Sequence, residues 1–331
     1  MNTEHSNDAP GEVIDPGLPI IDPHHHLWVH AGKPYLVEEF SRDLASGHSV
    51  LATVYVECSA NYRPDGPQEL RTVGEAEFVA RMAEQSETGG FGPAKICAGF
   101  VGAADFRLGD RVNEVLDALQ AGSGGRLKGI RGQANWDADP STNVGVRPYA
   151  PRGLLLDSKY REGVAALARR GLVYDAWQYH PQLPELCSLA DAFPEATMVV
   201  NHCGGLLGNG AYASPDNFAS WKALVTEVAR RPNTLMKLGG LSGGRCGFNF
   251  QARQTPPTMH ELAELWRPYI QTCMELFGAS RCMFESNFPP DNVAGSYRTV
   301  WNALKLTAAG CSDSEKHQMF HDTAKRIYTL D

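Results

Sequence analysis

The residues best equipped for chemistry come early in the chain. Asp22-Pro23-His24-His25-His26 follows the short apolar run 18–21. Side chains on a strand alternate faces, so His24 and His26 share one face and His25 takes the other. Two imidazoles side by side at a strand end can ligate a metal ion or work as an acid/base pair. Polar residues also end the other apolar runs. They are Glu57 after Val54-Tyr55-Val56, then Arg131 and Gln133, then Asp175, Gln178 and His180, then Asn201 and His202, then Lys237, and last Glu285 with Asn287. A polar side chain at the end of an apolar strand is costly to bury unless it is paired. One such residue is ordinarily a satisfied core group; one on nearly every strand points to a shared site.

Individual members have structural alternatives. Glu57 and Arg131 can form an ion pair, Lys237 can neutralise a neighbouring Glu, and His180 precedes Pro181 and can sit on a rim. His202 precedes Cys203-Gly204-Gly205, where the backbone can approach a ligand closely. His48, His260, His317 and His321 fall on helices or helix ends and are assigned surface or helix-terminus roles.

Such a set needs a repeating scaffold. Apolar runs at 18–22, 51–57, 95–102, 127–132, 172–178, 197–202, 234–239 and 281–286 read as strands. Amphipathic stretches lie between them near 72–85, 108–120, 159–170, 183–193, 217–230, 258–277 and 296–309, and a last helix runs from about 312 to 328. This alternation predicts an α/β fold, the (β/α)8 TIM barrel, with a doubly wound sheet as the alternative. Helix-to-strand connections are short, as at Arg170-Gly171 and Arg231-Pro232, whereas the strand-to-helix loops 58–71, 133–157, 203–216 and 240–257 are long. Long loops on the C-terminal face are where such barrels build their sites. Segment 133–157 carries Trp136, Arg147, Tyr149 and Arg152 and is expected to cover the pocket.

Composition sets further bounds. The 331 residues are 43% hydrophobic and 21% charged, which is ordinary for a globular chain. A flexible tail over 1–16 and a single barrel domain over 17–331 are expected. No apolar run approaches the roughly 20 residues of a membrane span, and the polar start does not resemble a signal peptide, so a cytoplasmic protein without membrane contact is expected. A formal charge of −8 argues against a nucleic-acid partner. Eight cysteines without a C-x-x-C pair argue against a disulfide framework or a thiolate zinc site. The expected partner is a small molecule, a cyclic ester or organic acid; a homo-oligomer is left open.

The segments IDPHHHLW, QYHPQLPELCSLADAFP, VVNHCGG and MFESNFP together resemble the amidohydrolase superfamily. The resemblance is to the amidohydrolase-2-type TIM-barrel hydrolases, the branch that includes sugar lactonases, sulfomuconolactone hydrolase and 2-pyrone-4,6-dicarboxylate lactonase. It spans about 18 to 328 and implies a barrel enzyme that opens cyclic esters with water. The superfamily also contains decarboxylases. Residue by residue, it implies His24 and His26 as the first-strand H-x-H and His202 as the sixth-strand histidine. It further implies a fifth-strand site residue within Gln178 to Gln182, with His180 favoured, and Lys237 as a basic group near the substrate. The eighth strand departs from the pattern: members commonly carry S-D-W-P, and this chain has Ser286-Asn287-Phe288-Pro289. Asn cannot take a proton from water, so the expected base becomes Glu285, ahead of Glu57 and Asp291.

The expectation is therefore a hydrolase opening a lactone or related cyclic ester, with His24, His26, His202, Glu285 and Asn287 catalytic. Glu57, Arg131, Gln178, His180 and Lys237 contact substrate, with Arg131 and Lys237 clamping a carboxylate. One divalent metal, zinc foremost, would be held by His24, His26 and His180; a metal-free site using a His/Glu pair is the other expectation. Alternatives are a non-oxidative decarboxylase and a binding protein that lost catalysis with the eighth-strand Asp.

Overall fold

A computed structural model describes residues 12–142 and 149–331. Residues 1–11 of the expected tail, and Arg147 of the expected cover, lie outside the described residues.

Eight strands form one parallel sheet in chain order. They are β1 Pro19–His25, β2 Ser49–Val56, β3 Lys95–Gly102, β4 Leu127–Gln133, β5 Val173–Trp177, β6 Met198–Val200, β7 Thr234–Leu238 and β8 Cys282–Phe284. The sheet closes where β1 meets the chain beyond β8. His25 bridges Phe288 there, the Asn287 N–H donates to the His24 carbonyl at 3.0 Å, and the His26 N–H donates to the Phe288 carbonyl at 2.8 Å. One helix follows each strand: α1 Val37–Leu44, α2 Val73–Thr88, α3 Val112–Gly122, α4 Ser158–Arg169, α5 Leu183–Ala192, α6 Asn217–Ala229, α7 Met259–Phe277 and α8 Tyr297–Thr307. The expected (β/α)8 barrel is the fold. No helix among the described residues is long and apolar enough to cross a membrane.

Side chains separate by strand period into two cores. Ile21, Ala52, Val54, Val56, Val101, Val173, Val199, Leu235 and Met283 form one cluster inside the barrel. Tyr55, Phe100, Ile130, Tyr174, Met198, Met236 and Phe284 face the helices. The period of two then places Asp175, Asn201, Lys237 and Glu285 one layer above Val173, Val199, Leu235 and Met283, toward the C-terminal mouth.

Three features depart from the expected elements. A hairpin pairs Trp28–His30 with Lys33–Tyr35, and α1 follows it; both are short and carry little periodic signal. The last helical segment is interrupted by a π-helical turn at Gln318–Asp322. It returns Tyr328 and Leu330 to the inner cluster, closing the barrel floor. The described end of the expected tail is fastened to α8: the Ile14 N–H donates to Asn302 Oδ1 at 2.8 Å, and Lys305 Nζ donates to the Ile14 and Asp15 carbonyls at 3.1 and 2.8 Å.

The loop after β2 hangs on a buried acid of α2. Glu75 Oε1 accepts from the Cys58 N–H at 2.8 Å, the Ala60 N–H at 3.0 Å and the Tyr55 hydroxyl at 2.9 Å. Burial, and secondly the charge of Glu57, push its carboxyl from an ordinary 4.5 up to about 7. A folded pKa above the unfolded one means that the stabilisation is complete below 4.5 and is lost as pH rises through about 7. At one pKa unit per 1.36 kcal/mol the loss is on the order of 3 kcal/mol. Glu75→Gln removes this titration, so its melting temperature relative to wild type should be higher at pH 8 than at pH 5. A constant difference between the two pH values in thermal melts would contradict this.

Candidate active site

Glu285 is the centre of the barrel mouth. Its Oε1 accepts from the His202 backbone N–H at 3.1 Å and lies 2.7 Å from His202 Nδ1. Its Oε2 lies 2.8 Å from His24 Nδ1, close enough for an ion pair but without hydrogen-bond alignment. That oxygen and His24 Nε2 are buried without hydrogen-bond partners. The donor atoms of His24, His202 and Glu285 all lie within 4.8 Å of one another. The cluster is sealed from solvent, with His24 and Glu285 at 0% exposure and His202 at 3%. Burial pushes the Glu285 carboxyl up to about 7, with Lys237 opposing. Burial also holds both imidazoles well below their ordinary value, helped by Lys237 at His24 and by Arg245 and Arg131 at His202.

Local backbone irregularities aim these side chains. Between Asp22 and His25 the register of β1 against β2 slips, as at a bulge. The slip leaves Asp22 on the outer side, accepting from the Ser286 hydroxyl at 2.6 Å and the Tyr297 hydroxyl at 3.0 Å. It turns His24 inward. His24 and His26 have ring centroids 5.0 Å apart, and His25 stacks on Phe40 outside the barrel. His26 is turned toward β2, with Nδ1 2.8 Å from the Val56 carbonyl oxygen. His202 and Cys203 both have positive φ, 53° and 50°. Gly240, at φ +62°, passes so close that an added Cβ would overlap His202 Nδ1. Gly240→Ala should therefore displace His202, destabilise the fold by about 1–3 kcal/mol and reduce any turnover at this site. Wild-type melts and activity for that variant would refute the argument.

A second layer fixes the first. Lys237 Nζ lies 3.0 and 3.2 Å from the two oxygens of Asp175, both side chains fully buried, and 3.4 Å from His24 Nδ1. Asp175 also accepts from the Tyr328 hydroxyl at 2.6 Å and from the Asn201 side-chain amide. Of the expected clamp of Arg131 with Lys237, Lys237 is ion-paired with Asp175. Arg131 lies 3.9 Å from Glu57 Oε1 and 3.4 Å from His202 Nε2, and Glu57 also accepts from the Gln133 amide.

The remaining expected residues divide. Gln178 is buried with an unpartnered Nε2. Asn287 donates to Asp291 Oδ1 at 2.7 Å, so its amide is already engaged. His180 and His26 fall outside the three-residue donor cluster. His180 Nδ1 accepts from the Leu207 N–H at 3.2 Å and its ring meets Tyr212 edge-on at 5.2 Å. Of the expected metal set His24, His26 and His180, His24 belongs to the grouped donor cluster, whose other members are His202 and Glu285. The described parts of the expected cover pack on the chain that follows β5: Arg152 sits over Trp136 at 5.2 Å, the Trp136 N–H donates to Gln182 Oε1 at 2.8 Å, and Tyr149 meets Tyr179 at 6.2 Å.

Trp177 and Arg245 were not anticipated. Trp177 meets His202 edge-on at 5.0 Å, and Arg245 lies 4.8 Å over the Trp177 ring. The period of two from Asp175 to Trp177 and the glycines flanking Arg245 in a long loop were the available signals.

The amidohydrolase family model matches residues 21–330. The chain is similar to the uncharacterized protein y4mH of Sinorhizobium fredii, 30% identical with 95% of this chain and 99% of that one covered. It is 26% identical to an L-fucono-1,5-lactonase of Burkholderia multivorans, covering 94% of this chain and 96% of the relative. A crystal structure of an amidohydrolase from Burkholderia multivorans with bound zinc superposes with a TM-score of 0.72 at 23% identity, covering 94% and 99%. With the family pattern running through all eight βα units and the barrel closed as described, this chain belongs to the amidohydrolase family.

Proposed function

We propose that this protein is a hydrolase that opens a lactone or related cyclic ester at the His24–His202–Glu285 cluster. The observation that carries the reading is Glu285, buried between two imidazoles, with one of its oxygens and His24 Nε2 lacking hydrogen-bond partners. Water adds to the ester carbonyl and passes a proton to Glu285. The tetrahedral adduct then breaks its ring C–O bond, and the proton returns to the departing alkoxide, leaving a hydroxy acid. A carboxyl poised near 7 suits both directions of that transfer. Arg131, beside His202 Nε2, is placed to stabilise the negative charge on the adduct.

The same side chains fit a divalent ion. Two neutral imidazoles and one carboxylate are a donor set of catalytic zinc sites, and the close, unaligned contact of Glu285 Oε2 with His24 Nδ1 is the spacing of groups that share a cation. His24, His202 and Glu285 would hold it, and when bound it supplies Lewis acidity toward the carbonyl. A carboxylate has about four lone-pair positions, so Glu285 can ligate and still accept a proton. The lactonase relative and the zinc-bound neighbour support this reading.

The test is acid release from a lactone panel with CO2 followed in parallel, together with elemental analysis of the purified protein. Hydroxy acid without CO2 is expected, with near-stoichiometric zinc that is lost in His202→Ala. Release of CO2, or no product from any lactone, overturns the hydrolase reading; metal content unaffected by His202→Ala overturns the ligand assignment.

A further inference from the structure

Two histidines that the barrel mouth does not use lie near the end of the chain. His317 closes the short helix Asp313–His317, and His321 and Asp322 belong to the π-helical turn Gln318–Asp322 that follows it. The chain just beyond this turn is fastened ahead of β8: the Thr323 hydroxyl donates to the Ala279 carbonyl at 3.3 Å, and Arg326 donates to the Ser280 carbonyl at 2.6 Å. This is the floor end of β8, whereas Glu285 follows its last residue at the mouth.

The three side chains converge. His317 Nδ1 lies 2.9 Å from one oxygen of Asp322 and His321 Nδ1 lies 2.7 Å from the other, with the two rings 5.2 Å apart. Imidazoles four positions apart on a helix share a face, a spacing that zinc sites use. In a regular α-helix, five residues would carry Asp322 about 140° around the axis from His317. The wider π turn brings position i+5 back toward position i, and Asp322 meets His317 there. Single π turns are rare and recur at functional sites. One donor atom from each residue lies within 4.8 Å of the others. Ligands at about 2.0–2.2 Å from one zinc ion stand about 3.3 Å apart, so small rotations of these side chains close them on an ion. His317 and Asp322 are 47% and 50% exposed and His321 is 15% exposed, so an ion can reach them from solvent. Among the described residues Asp322 is paired with these two imidazoles and with no lysine or arginine, which leaves its charge available to a cation.

We propose that His317, His321 and Asp322 form a metal site separate from the mouth cluster, which takes a divalent transition-metal ion such as zinc. Two neutral imidazoles with one carboxylate suit zinc, nickel or copper, and not magnesium, which favours oxygen ligands. The ion ties the end of the helix to the turn. Phe320 of the same turn stacks on Phe284 of β8 at 4.1 Å, and farther along the chain Tyr328 donates to Asp175 at 2.6 Å. An ion bound to the folded turn and not to the unfolded chain therefore stabilises the C-terminal segment that closes the barrel floor.

Zinc chloride is the probe, titrated by calorimetry into the chelator-treated full chain, with magnesium chloride as the control. Removing an outer partner of a metal site costs about 10- to 100-fold in affinity, so removing a ligand should cost at least that. Wild type should therefore bind one equivalent of zinc that is weakened by about tenfold or more in His321→Ala, and magnesium should not fill that site. Zinc should also raise the melting temperature of wild type by more than that of His321→Ala. The difference between the two proteins counts the floor site alone, whatever the mouth binds, so this proposal and the hydrolase reading stand or fall separately. Equal zinc stoichiometry and affinity in wild type and a folded His321→Ala overturn the site. Magnesium filling it overturns its assignment to the transition metals. A zinc equivalent that depends on His321, with an equal rise in melting temperature in both proteins, overturns its part in holding the C-terminal segment. Should His321→Ala not fold, His317→Ala, at the more exposed position, carries the same comparison with the same outcomes.

Discussion

Glu285→Gln should lower kcat by about 10²- to 10⁴-fold while leaving the protein folded, the range over which a positioned general base contributes. The substitution keeps the shape of the side chain and an oxygen able to accept from the His202 backbone N–H, now at 3.1 Å. It removes the carboxylate that faces His24 Nδ1 at 2.8 Å and His202 Nδ1 at 2.7 Å. With it go the proposed proton acceptor and the proposed anionic metal ligand. The structural cost is small, because a fully buried carboxyl whose pKa is already raised to about 7 by burial is not a strong source of stability at neutral pH. Melts and single-turnover rates on the same preparation decide between the roles. A normal rate per folded molecule with a lowered melting temperature would make Glu285 a structural acid and end its assignment as base. Glu285→Asp, which restores the charge on a shorter stem, should recover part of the rate if the carboxylate itself is needed.

Lys237→Met is expected to have the largest effect on stability. Lys237 and Asp175 are both at 0% exposure and 3.0 Å apart. Removing the cation leaves Asp175 inside the barrel with, among the described residues, the Tyr328 hydroxyl and the Asn201 amide donating to it. Breaking a buried pair from one side typically destabilises by about 3–5 kcal/mol, because the remaining charge stays desolvated. Adding Asp175→Asn to Lys237→Met should then be less harmful than the two single losses summed, with a coupling on the order of 0.5–3 kcal/mol. Denaturant unfolding of the four proteins measures this directly. Additive losses would mean that the two side chains are held by their surroundings independently and that the pair is not the unit that organises the barrel interior.

Much of this architecture was legible in the chain because its signals are local. Alternating apolar runs and amphipathic stretches specify the order of strands and helices, and barrel closure follows from eight successive βα units. Long loops after strands and short ones before them mark the functional end. The period of two carries Val173 to Asp175, Leu235 to Lys237 and Met283 to Glu285, so these polar groups share the inner face with their apolar predecessors. Glu285 could thus be singled out as the carboxylate standing in where Asn287 lacks one. The hairpin at 28–35 and the short α1 were missed because elements of so few residues have no period to read.

What the tertiary structure decided is which of these groups meet. The slip in β1 between Asp22 and His25, set by pairing with β2 and closure against Phe288, turns His24 inward and leaves Asp22 to Ser286 and Tyr297. Lys237 pairs with Asp175, 62 positions away, and Tyr328 reaches the same carboxylate from 153 positions away through the barrel floor. His180 closed on Leu207, outside the donor cluster that His202 joined. Arg245 and Arg131 each reach Trp177 because β4, β5 and the loop after β7 end at one rim. Each of these is a contact between segments far apart in the chain, fixed by closure of the sheet and by the need of every buried charge for a partner; no local pattern of residues encodes either.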